Sequence, residues 1–439
     1  MSDLLAARIQ METSLAFHII FAVVGIALPL MMVVAEALWL RTGDPVHRLL
    51  ARRWAKGAAI LFAVGAVSGT VLSFELGLLW PRFMGFAGSI IGLPFALEGF
   101  AFFTEAIFLG IYLYGWDRIP PLAHWLSGAM VAASGALSAV FVVTTNAWMN
   151  PPAGFRVEDG RPVDVDPIAA MTSPAALAET LHMTIAAYAA TGFAVAGVHA
   201  FLLRRDRANP FHRRALAIAL AVGGVAAVLQ PATGDYAAKV VARTQPAKLA
   251  AMEGQFHTER GAPLRIGGLP DPATEETPYA LEVPRALSIL AYGRSDAEVL
   301  GLDQFAAGGR PNVRVVHVAF QVMVGCGMAM MAVACWAAWS AWRRRAVPDG
   351  GLFLRAVIAA SPLGMLAVEA GWVVPEVGRQ PWIIHGVMRT TDAVTDARGL
   401  WASLLVYSAV YLMLGGIVVM LMVQLFRSSP GTDEAGGDR

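Results

Sequence analysis

Nine stretches of this chain are apolar over about the length a helix needs to cross a bilayer: 14–40, 55–79, 94–115, 125–147, 181–204, 215–231, 314–340, 353–375 and 400–426. A crossing helix takes about 20 such residues, so 215–231 is the shortest candidate. Lipid offers no water to satisfy peptide N–H and C=O groups, which confines a chain of this kind to a helical bundle. Composition agrees: 57% of the 439 residues are hydrophobic and only 15% are charged, against about 25% charged in soluble domains. That excludes a soluble globular enzyme, a disordered chain and a secreted disulfide scaffold. The first run extends from about Ser14 to about Leu40, too long for the apolar region of a signal peptide. Cys326 and Cys335 stand nine apart in one apolar run. They fit neither a zinc nor a haem-attachment spacing and read as two small core residues. The net charge of +1 gives no reason to expect a nucleic-acid partner.

Where the charges sit says more than their sum. The connections 41–56, 116–124, 204–214 and 341–355, with the C-terminal tail, hold 17 of the 33 Lys and Arg, while the short segments on the other side hold seven. By the excess of cations in cytoplasmic loops, the N-terminus is outside and the C-terminus is cytoplasmic. The expected fold is therefore an all-α polytopic membrane protein of about nine transmembrane helices. Helices one to six occupy 1–231, helices seven to nine occupy 314–426, and a polar tail spans 427–439. Between them, 232–313 is a large polar loop on the outer side, rich in Pro, Gly and charge. Loops of this length are commonly functional. No internal repeat of the kind found in transporters is visible.

Ionisable groups inside spans cost about 2.5–3.5 kcal/mol each on insertion scales, so each is a functional candidate. Those singled out are His18, Glu75, Glu98, Glu105, His182, His317, Glu369 and Glu376. At about 1.5 Å per residue, most of the potential ligands fall within about 6 Å of the outer boundary and Met323 within about 14 Å. Imidazole, thioether and carboxylate gathered in one layer suit metal or haem ligation, and an apolar bundle holds a porphyrin well. Blander readings stand beside this one. His182 and His317 suit an interface, Met323 is one of 19 Met that fill cores, and Glu75 and Glu369 read as structural. Glu98 and Glu105, two turns apart on one face, suit either buried hydrogen bonding or a proton relay.

The run Gly371-Trp372-Val373-Val374-Pro375-Glu376-Val377-Gly378-Arg379-Gln380-Pro381-Trp382 resembles the signature of subunit I of cytochrome bd-type quinol oxidases. Further matches follow in order: Arg8 to Gln10 with Phe17-His18; Leu97-Glu98-Gly99 with Phe102 to Glu105; Gly115 to Arg118; Leu137-Ser138-Ala139; Asn146 to Met149; His182 with Tyr188; Gln245 to Glu253; and Phe320 to Gly325. The resemblance covers about residues 3 to 426.

That resemblance implies roles residue by residue. His182 and Met323 would be the axial pair of a low-spin haem b. His18 would ligate the high-spin haem at which O2 is reduced, haem d or a haem b in its place, and Glu376 a second high-spin haem b. Arg8 and Arg379 would contact the cofactors, Arg379 as a propionate partner, for which a guanidinium fork is suited. Glu98, Glu105 and Ser138 would carry protons from the cytoplasm. Lys248 and Glu253 would bind or deprotonate ubiquinol or menaquinol in the loop 232–313, which becomes a periplasmic quinol-binding loop. The implied partners are a multi-spanning subunit II, a small single-span subunit and membrane lipid, in the bacterial cytoplasmic (inner) membrane. The implied activity is electrogenic quinol:oxygen oxidoreduction without a haem–copper centre.

Two departures stand out. The seventh-span motif often has Arg two residues before the Met, where this chain has Gln321. Losing that fixed charge would lower the low-spin haem's potential, and it makes the chain similar to the cyanide-insensitive branch. The loop also lacks the long insertion of some members. Rival classes are a haem electron carrier, which has no use for His18, Glu98 and Glu376, and a proton-coupled transporter, which binds no chromophore. The colour of the purified protein and its oxygen consumption with quinol separate the three.

Overall fold

The computed structural model describes residues 2–428, so the tail expected at 427–439 lies almost wholly outside the described residues. Among the described residues, nine helices are long and apolar enough to cross a membrane, one for each expected stretch. They are α1 (Asp3–Thr42), α2 (Pro45–Leu79), α3 (Pro81–Tyr114), α4 (Pro121–Met149), α5 (Ala176–Leu203), α6 (Pro210–Thr244), α7 (Val313–Arg344), α8 (Gly351–Arg379) and α9 (Leu400–Arg427). Most outrun their apolar stretches because polar flanking residues cap them. Asp44 accepts from the Val46 N–H at 3.0 Å, Asn209 from Phe211 at 3.0 Å and Asn312 from Val315 at 3.3 Å, each satisfying a donor that the first turn leaves free. Proline in the first turn of α2, α3, α4 and α6 forfeits no helical bond. In α8, the helix breaks between Ala360 and Leu363, around Pro362.

The sixth span corrects its expected boundary. It continues through Pro231 to Thr244 instead of ending at 231. The added turns are polar and carry the Asp235–Lys239 ion pair, 2.6 Å and one turn apart. Loss of hydropathy ends an apolar run, but a helix beyond lipid needs only good helix formers. The polar loop accordingly opens with the short helix Pro246–Glu253, not at 232. Its small antiparallel pairs include β1 (Leu264–Gly267) on β2 (Ala280–Val283).

Connections that alternate in charge also alternate in space. At one end of the bundle, called here the loop end, Leu79 O accepts from Thr395 N–H at 2.9 Å, Met149 O from His385 N–H at 3.0 Å and Asp3 Oδ1 from Leu400 N–H at 3.0 Å. At the opposite, arginine-rich end, Arg48 and Arg52 both pair with Asp117, Arg213 with Asp349 at 2.6 Å and Arg214 with Asp44 at 3.4 Å. The arginine pair holds the exposed Asp117 carboxyl below the usual carboxylate range.

Small residues let the helices close on one another, as membrane bundles require. A Cβ on Gly192 of α5 would lie 2.4 Å from Gly223 Cα of α6, and one on Gly364 of α8 would lie 2.4 Å from Ala190 Cα. Two expectations fail here. Cys326 is buried but Cys335 is exposed, because nine residues along a helix turn a side chain through roughly 180°. His317 is fully buried and not interfacial, because the loop folds over it. Glu75 does have the structural role expected of it: it accepts from Gln10 Nε2 at 2.8 Å, while Ser403 of α9 donates to Gln10 Oε1 at 2.7 Å, tying α1, α2 and α9 together.

Gly192→Leu should force α5 from α6 and cost more than the ~1–3 kcal/mol typical of overpacking. A lowered Tm and yield of the detergent-solubilised protein would show it, and an unchanged Tm would contradict the crossing.

Candidate functional site

A cavity of about 440 Å³ opens between α1, α2, α3, α4 and α8, within the ~300–1,000 Å³ typical of ligand pockets. α1 lines it with Arg8, Glu12, Leu15, His18 and Gly25, positions that recur at helical spacing. α3 adds Glu98 and Glu105, α4 adds Ser138 and Asn146, and α8 adds Glu376 and Arg379. Seven of the residues selected from sequence therefore face one space: Arg8, His18, Glu98, Glu105, Ser138, Glu376 and Arg379. His18 is fifteen residues beyond Asp3 and Glu98 seventeen beyond Pro81, about 22 and 25 Å along their helices. The apolar runs begin eleven and thirteen residues after these helices do, so both helices extend beyond their apolar stretches at this end.

The hydrogen bonds orient the lining for ligation. His18 Nδ1 lies 3.0 Å from Ser68 Oγ, which itself bonds to the carbonyl oxygens of Val64 at 3.0 Å and Gly65 at 3.1 Å. A hydroxyl has one proton, here directed at a helical carbonyl, so it accepts from His18 Nδ1–H and Nε2 keeps its lone pair. A Cβ on Gly69 would come within 3.0 Å of His18 Cε1, so this ring position needs glycine opposite. Ser138 Oγ donates to Glu98 Oε1 at 3.1 Å, and the Glu105 carboxyl packs where a Cβ on Gly135 would be 3.2 Å away. Glu376 accepts from Asn146 Nδ2 and, at 2.5 Å, from Arg379 Nη2. Arg379 is only 2% exposed, yet its Nε and Nη1 find no partner. Buried donors of a guanidinium are costly to leave unpaired, so they are available to a further acceptor.

His182 and Met323 lie outside this cavity's lining, on α5 and α7. The hydroxyl pattern repeats at His182: its Nδ1 lies 3.2 Å from Thr233 Oγ1, which donates to Gln230 O at 3.0 Å. Gln230 Nε2 also sits 3.2 Å from His182 Nε2. Each residue faces a glycine: a Cβ on Gly234 would be 3.3 Å from His182 Cε1 and one on Gly371 3.1 Å from Met323 Sδ.

Lys248 and Glu253, expected to share one ligand, point to different sides of the helix Pro246–Glu253. Five residues correspond to roughly 140° of helical rotation. Lys248 is buried and donates from Nζ to Asn150 Oδ1 at 2.6 Å and to Gln245 Oε1 at 2.5 Å. Burial lowers its pKa, and Glu179 opposes the shift. Glu253 is buried with Oε2 unpartnered, and burial lifts its pKa to about 8 against the pull of Arg265. Gln321, read from sequence only as a missing charge, has its amide engaged by the loop backbone: it accepts from Gly267 N–H at 2.9 Å and donates to Arg265 O at 3.0 Å.

Several polar residues escaped the sequence reading. Glu12 faces the cavity, and its position one turn beyond Arg8 and six residues before His18 was the available signal. Asn146 lay in a quoted motif without a role. Glu36 and His124 form a buried 2.7 Å pair beside Tyr112, seven residues beyond Glu105 on α3. His199 and His212 pair at 3.0 Å between α5 and α6. Each needs a partner from a distant helix, which spacing alone does not reveal.

The donor set suits haem: an imidazole with a free Nε2, a second imidazole whose Nε2 is approached by the Gln230 amide, a thioether, a carboxylate and a buried guanidinium with unspent donors. Comparison with known proteins agrees. Residues 6–430 match the family model for cytochrome bd terminal oxidase subunit I. The chain is 37% identical over 436 residues to a putative cytochrome bd menaquinol oxidase subunit I of Bacillus subtilis, covering 98% of each chain. It is 33% identical to the cytochrome bd ubiquinol oxidase subunit 1 of the same organism, covering 97% of this chain and 93% of that one. The solved bd oxidase from Geobacillus thermodenitrificans superposes with a TM-score of 0.92 at 38% identity, covering 98% of this chain and 99% of that one.

Ser68→Ala removes the acceptor that fixes the His18 ring. Loss of such a partner typically costs 10–100-fold in metal affinity or activity, so haem content per chain by pyridine haemochrome should fall. Full haem content and an unchanged spectrum would show that Ser68 does not orient the ligand.

Proposed function

Because the chain belongs to the cytochrome bd terminal oxidase subunit I family, we propose that it oxidises quinol on the loop side and reduces O2 to water in the cavity of His18, Glu98 and Glu376. It is a multi-pass protein of a bacterial inner membrane and the haem-containing subunit of a terminal quinol oxidase, with a second subunit as its partner. The observation that carries the finer reading is the single cavity in which an imidazole, four carboxylates and Arg379's two unpartnered donors converge.

In this reading, His182 and Met323 hold a low-spin haem b, and His18 and Glu376 hold the two high-spin haems, one of b type and the other d or b. Bound haem supplies electron transfer and oxygen reduction. The chain's residues supply orientation and protons. Ser68 keeps Nε2 of His18 free, and Thr233 bonds Nδ1 of His182. Arg379, with Arg8, neutralises acidic groups at the loop end. Ser138 holds the Glu98 carboxyl toward the cavity, where it can deliver a proton. Glu105 stands about 10 Å farther along α3, toward the arginine-rich end that the charge bias makes cytoplasmic. Tyr112, another seven residues on, faces the Glu36–His124 pair and extends this polar line. Its neighbours on α4 are small: Gly128 opposes Tyr112 and Gly135 opposes Glu105. Protons drawn along this line, with protons released from quinol at the loop, separate charge without a pump.

At the loop, Glu253 serves as the base that receives a quinol proton, and it must be ionised to do so. Since its pKa is raised to about 8, kcat/KM for quinol should climb as pH rises through about 8, and Glu253→Gln should flatten that limb.

His182→Leu and Met323→Leu should each abolish the low-spin signal in the reduced-minus-oxidised spectrum while the protein still inserts. Quinol-driven oxygen consumption by the purified complex tests the whole reading. A colourless preparation, or a coloured one that consumes no oxygen with quinol, would refute it.

A further inference from the structure

The loop is held to α7 by two side chains one turn apart. His317 Nδ1 lies 2.8 Å from Met252 O and its Nε2 2.9 Å from Gly267 O. Gln321 takes Gly267 N–H at 2.9 Å and Arg265 O at 3.0 Å. An imidazole with one N–H donates to only one of these two carbonyls, while Gln321 holds the Gly267 N–H, at a backbone φ of +70° that favours glycine.

The two segments held in this way are those that surround Glu253. Met252 immediately precedes it in the chain. The Arg265 side chain pairs with Glu282 at 3.0 Å, donates to Gln255 Oε1, and is the charge acting on the Glu253 carboxyl. Gln321 is two residues before Met323. One turn of α7 therefore carries both the grip on the loop and the thioether.

The residue type at 321 is specific to this grip. An amide has both a donor and an acceptor, whereas a guanidinium only donates. Arg at 321 would leave the Gly267 N–H without its partner, and a carboxylate would leave Arg265 O without one. We propose that Gln321 is a positioning residue for the quinol site: by reading the Arg265–Gly267 backbone it docks the loop onto α7 and sets the Arg265 charge beside Glu253, at a fixed place relative to Met323. The proposal rests on the loop being the quinol site, and its test separates the two claims.

The test compares the purified complex with its Q321L, Q321R and Q321E forms, by amide hydrogen exchange across 264–267 and by KM and kcat for quinol. In Q321L, exchange at Gly267 and quinol KM should each rise about tenfold, the factor that losing one to two net hydrogen bonds amounts to, with a much smaller change in kcat. Q321R should free the Gly267 amide to the same degree, while Q321E, close to Gln in size, should retain its protection but still raise KM. Because Q321E keeps the shape, it decides the matter if Q321L fails to insert. Unchanged exchange at Gly267 in both Q321L and Q321R would overturn the grip. Raised exchange with unchanged KM would reduce Gln321 to a structural tie and overturn the positioning role. Absence of quinol turnover in the parent would instead sink the quinol reading of the loop, and the exchange data would still decide the grip.

Discussion

Carboxylates, imidazoles and guanidinium groups cannot be left facing hydrocarbon, and the architecture follows from where this chain puts them. Arg379 is the sharpest instance. It lies buried at the end of α8, is bonded to Glu376 through one nitrogen and has two further nitrogens without partners. Its remaining nitrogens leave room for a further acceptor. The acids and histidines of α1, α3 and α4 are drawn to the same cavity for the complementary reason: it is the polar refuge that the bundle offers.

Making that refuge requires helices that approach closely elsewhere and part locally. Gly192 against Gly223 and Gly364 against Ala190 bring α5, α6 and α8 together. Gly69, Gly135, Gly234 and Gly371 have a different use, since each stands where an added Cβ would press closely on His18, Glu105, His182 or Met323. Small residues thus serve both helix packing and the room that functional side chains need. The oriented imidazoles depend on the same economy of parts: one hydroxyl, bonded to its own helix, fixes each ring.

Much of this was legible in the sequence. All nine spans were, because hydropathy over about 20 residues is a local property, and so was the alternation of arginine-rich connections. His18, Glu98, Glu105, Ser138, Glu376 and Arg379 could be picked out as polar residues in apolar runs or in a distinctive motif, and they do meet. The Glu36–His124 pair could not be weighed from spacing, because each residue matters through a partner on another helix. Lys248 and Glu253 were singled out together by the resemblance of the loop motif, and helical rotation sends them to different neighbours. Gln321 looked like the loss of a charge, and only the folded loop shows what its amide holds.

The sequence by itself determined the class of structure. Peptide groups in lipid must bond within their own segment, so nine apolar runs dictate nine helices, and the excess of arginine on alternate connections groups their ends. Tertiary structure alone decided which polar side chains share a cavity, which ring nitrogen stays free and where the loop docks. Those depend on contacts between residues tens to hundreds of positions apart, such as Asn146 with Glu376 or Gly267 with Gln321, and the periodicity of a single helix carries no information about its neighbour.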